Sequence, residues 1–199
     1  FYLLQNTIVV HNAEEFYRES VASKEDVSWN SRVHHMYGTV NDLLNLYGEN
    51  SKGIVWAHNT HIGDAEYSSM RNSGEKNIGQ LTRERSGNDN VFLIGFTTYE
   101  GKVMAGSSWG APMKEMTIPP AISNSIEYKL NQIDQESFYM IFDKEDRKEK
   151  NLKVMGNRAV GVVYNPRGDK MQFVPTIVPL RYDALFFFKK TTALRVLKR

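Results

Sequence analysis

The sequence contains no cysteine, which excludes disulfides, thiolate metal sites and thiol nucleophiles together and fits a reducing, cytoplasmic setting. No stretch approaches the ~20 apolar residues that cross a bilayer, and the longest apolar run, Ala184-Leu185-Phe186-Phe187-Phe188, is strand-length. An excess of one charge is also missing. The 25 Lys and Arg are interspersed with 23 Asp and Glu, so no basic surface tracks phosphates, and neither nucleic acid nor a membrane is an expected partner. Proline is scarce at 6 residues, while 41% hydrophobic and 12% aromatic residues suffice for a core. At 199 residues the expectation is one domain, 1–199. It opens on Phe1 without a signal peptide and already in a helical pattern, which suggests a piece of a longer protein.

Apolar residues at mostly helical spacing predict a helix from Tyr2 to Glu19 and a clearer one through Val33, Met36, Tyr37, Val40, Leu43, Leu44 and Tyr47, closed by Gly48. Gly53 to Ala57 reads as a short buried strand that stops at the polar stretch His58 to Asp64. A helix from Asn77 to Arg85 ended by Gly87, a strand from Val91 to Thr97, a helix from about Ala121 to Ile133, and strands over 159–164 and 184–188 complete the pattern. Asn165-Pro166-Arg167-Gly168 marks a turn, and the mixed charges of Lys144 to Lys150 mark a solvated segment. The fold class is α/β, with a central mixed or parallel sheet flanked by helices, incomplete if part of the protein is missing.

The loop after Ala57 concentrates the candidate chemistry, because open α/β sheets bind ligands at the carboxyl ends of their strands. His58, Asn59, Thr60, His61 and Asp64 supply two imidazoles, an amide, a hydroxyl and a carboxylate. Imidazole accepts and returns a proton near neutrality. In a helical turn His58 and His61 share a face, where they hold either a carbonyl oxygen or, with Asp64, a metal; structural histidines remain the plain alternative. Arg32 and His35 are also three apart, on the predicted second helix. Gly106-Ser107-Ser108-Trp109-Gly110 has nucleophile-elbow spacing, but its surroundings favour a turn over a catalytic serine.

Several segments in order resemble the erythromycin esterase family: Trp29-Asn30-x-Arg32-x-x-His35-Met36, Val55 to Asp64, Asn77-Ile78-Gly79-Gln80-Leu81 and Gly95 to Gly101. Arg158 to Tyr164 and Arg181-Tyr182-Asp183-Ala184 extend the likeness, which covers nearly all of this chain and the C-terminal half of a family member. Homologues in this group also carry the label succinoglycan biosynthesis. The resemblance implies metal-independent hydrolysis of a macrolide lactone or related ester by an activated water, without a cofactor, and a role in antibiotic resistance. The general base of the family lies in the N-terminal half; His58 and His61 match second-half histidines that position water or substrate and support charge on the opening lactone. Arg32, His35, Asn59 and Asp64 would then face the same cleft. Asn77 and Gln80 either anchor the neighbouring loop or cap and brace it, and Tyr99 and Trp109 line an apolar substrate surface or simply pack. Implied partners are the ester substrate and either the missing N-terminal half or a second copy. The alternative is a non-catalytic ligand- or metal-binding module built on the same loop.

Overall fold

The helical spacing of the first twenty residues produces α1 (Tyr2–Val21), yet none of its side chains is buried. Polar links join it to α2 (Glu25–Tyr47) instead. Gln5 donates to Asp42 at 2.6 Å, Asn12 to Nδ1 of His35 at 3.0 Å, and Ser31 to Glu19 at 2.6 Å. Partner numbers rise on one helix as they fall on the other, so the two run antiparallel. The computed structural model describes residues 1–22 and 25–195. These form two compact units, Phe1–Leu93 and a second that begins at Ile94.

In the first unit the core is Val33 and Tyr37 of α2 with Leu81 of α4 (Ile78–Ser86), edged by Trp29 and Met36. Between them lies α3, the single turn Asn59–Ile62. The strand expected over Gly53 to Ala57 does not form. Residues 51–58 are not part of a strand, and Ile54 is 94% and Trp56 88% exposed. A strand needs a neighbour to pair its backbone groups, and the described residues of this unit contain no other strand.

In the second unit a mixed sheet runs in the order β2-β1-β6-β3, built from β1 (Ile94–Ala105), β2 (Lys114–Ile118), β3 (Ser137–Ile141) and β6 (Ala184–Thr191). β1 and β6 are parallel, while β2 and β3 add antiparallel. A second pair joins β4 (Met155–Arg158) to β5 (Phe173–Thr176). Helices α5 (Ile126–Leu130) and α6 (Val178–Arg181) complete this unit, so the fold is mixed α/β with a mixed sheet flanked by helices.

Three expectations shift here. The 159–164 strand lies earlier, because the pairing with β5 ends where Phe173 faces Arg158 and only Val163 bridges to Gly106 beyond it. The 121–133 helix shrinks to α5, whose start is set by Ser125 accepting from the Tyr128 amide. The strand expected over 91–97 starts at Ile94 and runs on to Ala105. Gly106 to Gly110 is a turn with no helix after it.

Glu127 ties this unit together. It is fully buried, and its Oε1 accepts from Thr97 Oγ1 at 2.5 Å, Asn157 Nδ2 at 2.9 Å and the Arg158 amide at 2.8 Å. One atom thereby joins α5, β1 and β4. Thr97→Val keeps the shape and removes one donor to that oxygen, so a loss of about 1.5 kcal/mol is expected in denaturant unfolding; an unchanged midpoint would show that the three donors act redundantly.

Candidate active site

A short helical turn cannot hold itself in place, so α3 depends on what grips it. His58 is its N-cap, with Nδ1 accepting from the Thr60 amide at 3.2 Å and meeting Thr60 Oγ1 at 2.9 Å. From the other side Asn77 closes the grip. Its buried amide donates to the carbonyls of Thr60, at 3.0 Å, and Gly63, while its Oδ1 accepts from the Gln80 amide at 2.9 Å as the N-cap of α4. Thus Asn77 both anchors the loop and caps the helix. Gly79 makes the approach sterically feasible, because a Cβ there would lie 2.7 Å from the carbonyl carbon of Ile62, 2.9 Å from Gly63 O and closer still to Ile62 O.

Past α3, buried Asp64 caps a 3₁₀ turn, Ala65–Tyr67, by accepting from the Glu66 amide at 3.1 Å. Its second oxygen takes the Arg83 guanidinium at 3.2 Å, and both side chains are buried. Burial pushes the Asp64 carboxyl above its ordinary range despite Arg83. This carboxylate is thereby committed to the scaffold. Among the described residues no three His, Asp or Glu side chains group to hold a metal ion.

His61 is placed differently. Its ring stacks on Trp29 of α2 with centroids 4.9 Å apart and planes 8° from parallel. The Arg32 guanidinium sits 5.0 Å from the centroid of the same indole. Nδ1 of His61 and Nε of Arg32 are buried without a hydrogen-bond partner among the described residues. Burial, with the charge of Arg32 and then of His58, lowers the His61 pKa to about 4. At neutral pH the imidazole is therefore uncharged, with one ring nitrogen a donor and the other an acceptor.

The first unit thus brings His61, Arg32 and Trp29 together, with Asn77, Asp64 and Gln80 in the surrounding frame. His58 is exposed and Asn59 half-buried at the start of α3. Gln80 is buried and donates to Glu84 at 2.8 Å, bracing α4. His35 is engaged with Asn12 of α1. Tyr99 and Trp109 belong to the second unit, Tyr99 half-buried on β1 and Trp109 83% exposed in the following turn.

Trp29, Arg83 and Gly79 take roles that the sequence does not announce. Trp29 and the candidate Arg32 are one helical turn apart on α2, but the stacking of Trp29 on His61 joins separate elements. Arg83 as the partner of Asp64 and Gly79 as the contact point with Ile62 have no local signature.

A family model described as Erythromycin esterase matches residues 1–191. Among solved structures, a protein from Bacillus cereus is similar over 88% of this chain and 42% of its own length, at 18% identity and a TM-score of 0.71. A succinoglycan biosynthesis protein is similar over 84% of this chain and 40% of its own, at 20% identity and a TM-score of 0.65. A histidine-to-asparagine mutant of the erythromycin esterase EreC in its open conformation matches over 80% and 37%, at 20% identity and a TM-score of 0.56. The chain therefore spans about two-fifths of the length of the structures it matches. No helix among its described residues is long and apolar enough to cross a membrane.

Proposed function

This chain belongs to the erythromycin esterase family, and we propose that it contributes the His61–Arg32 part of a hydrolytic site that opens a cyclic ester, a macrolide lactone or a related molecule. In such a reaction a water oxygen adds to the lactone carbonyl carbon, and the acyl–oxygen bond of the ring then breaks. One molecule carrying a carboxylate and a new hydroxyl results. Negative charge gathers on the carbonyl oxygen at the tetrahedral stage, and preorganised donors aimed there lower the barrier. A neutral imidazole N–H and a guanidinium are suited to that task. The base that takes the proton from water comes, in this reading, from elsewhere in the full site.

One observation carries the proposal. His61 and Arg32 share an indole platform in a half-buried place, and Nδ1 of His61 and Nε of Arg32 have no hydrogen-bond partner among the described residues. A buried donor left unsatisfied costs free energy, and an oxygen of a bound ester relieves that cost. Asp64, committed to Arg83, does not compete for the guanidinium of Arg32.

The test is hydrolysis of macrolide lactones and simpler esters by the longest product the reading frame encodes, followed as gain of one water by mass spectrometry. Ring opening that disappears in His61→Ala supports the reading, and hydrolysis unchanged by that substitution overturns it. A binding partner recognised without turnover, whose affinity depends on His61, would support the non-catalytic alternative instead.

A further inference from the structure

We propose that Trp29 is a positioning residue for His61: its indole fixes the plane of the imidazole and keeps water from one face of it. The inference rests on His61 being the group that meets the substrate. It begins from what the imidazole lacks. Nδ1 of the ring has no hydrogen-bond partner among the described residues, so no polar contact at that atom sets its rotation about χ2, and near-parallel contact with Trp29 does so.

The indole is itself held. Its Nε1 donates to the Lys76 carbonyl at 2.6 Å. Beside it, Asn30 donates to the Gly74 carbonyl at 2.9 Å and accepts from the Lys76 amide at 2.8 Å. The next residue, Asn77, holds the carbonyls of Thr60, within α3, and of Gly63, just past its end. Residues 74–77 are thus one reference for both partners. They fix the indole through Lys76 and the backbone of the imidazole through Asn77, so the face-to-face geometry is set from two sides.

Charge assigns the protonation state that this stack accommodates. An indole face attracts cations, but here Arg32 already lies over that ring system. The charged or titratable groups facing His61 are Arg32 from α2 and His58 at the start of α3, and both oppose a second positive charge. Trp29 therefore presents an apolar plane to a neutral imidazole, and the stack excludes water that would stabilise the imidazolium.

Two variants of the 199-residue chain test this, Trp29→Phe and Trp29→Leu, with the ring resonances of His61 followed by heteronuclear NMR as pH is varied. Phe keeps an aromatic face and loses the bond to Lys76; Leu loses the face. The expected result for Trp29→Leu is a His61 midpoint raised by about one pH unit or more toward its ordinary value, with loss of the ring-current shift. Trp29→Phe is expected to stay within about 0.5 unit of the unsubstituted chain. The proposal is overturned if Leu leaves midpoint and shift unchanged, or if Phe abolishes both as completely as Leu does. Should Trp29→Leu fail to fold by circular dichroism, Trp29→Phe decides alone: a retained low midpoint supports the role, and a return to the ordinary value overturns it.

Turnover separates this inference from the functional reading. If the longest product hydrolyses esters, Trp29→Leu is expected to lower kcat by about tenfold or more with little change in KM, and Trp29→Phe to restore most of it. If no ester is hydrolysed by any form, the functional reading fails while the titrations still judge Trp29.

Discussion

Gly79→Ala is expected to destabilise the first unit by about 3 kcal/mol, the upper part of the range for overpacking a close contact. The added carbon meets backbone atoms of Ile62 and Gly63, not the end of a flexible side chain, so no rotamer change relieves it. Relief requires α3 and α4 to separate. Separation in turn lengthens the bonds from Asn77 to the Thr60 and Gly63 carbonyls. Gly38→Ala on α2 is the matched control, since a Cβ there has nothing within 4 Å. In a helix interior that exchange is expected to stabilise by about 0.5–1 kcal/mol. Urea unfolding of the two variants side by side checks the contrast. Equal midpoints would mean that α3 is not pressed against α4 as described.

The larger functional effect is expected at His61. His61→Ala removes the donor and leaves Arg32 and Trp29 in place, and loss of one preorganised donor to a developing oxyanion lowers kcat by about 10²–10³-fold. Because this donor is proposed to act on charge present only in the transition state, kcat and kcat/KM should fall together. His58→Ala is expected to behave differently: its Nδ1 is used in capping α3 through Thr60, so the loss includes about 1 kcal/mol of local stability. Comparing turnover and urea midpoints for the two variants measures this difference. An equal fall in turnover at both positions, with stability intact, would give both imidazoles direct roles.

Much of this frame was legible in the residues themselves. Asn77 and Gly87 bracket α4 as a polar N-cap and a glycine C-cap do, and both are found there. The apolar run at 184–188 became β6, and His61 lies on a helical turn, whereas His58 is the extended N-cap before it. Other elements depend on partners that sequence spacing does not reveal. Gly53 to Ala57 has strand composition, but composition supplies no neighbour to pair with. Conversely, β2 alternates Lys, Glu, Met, Thr and Ile, and β5 contains Pro175, so neither stands out until β1 and β4 pair with them. For the site, local spacing led to His61 and Arg32, whereas Trp29 as their common platform emerged only from packing.

The protonation of His61 gives the most direct test of the site. Its folded pKa lies below its ordinary value of 6.5, so between about 6.5 and 4 the unfolded chain binds more protons than the folded one. The stability linked to this group is fully present above pH 6.5 and is lost as pH falls toward 4. A site-resolved NMR titration of His61 in the unsubstituted chain is expected to show a midpoint at about 4. A midpoint near 6.5 would place the imidazole in water, away from Trp29 and Arg32, and would contradict the site described.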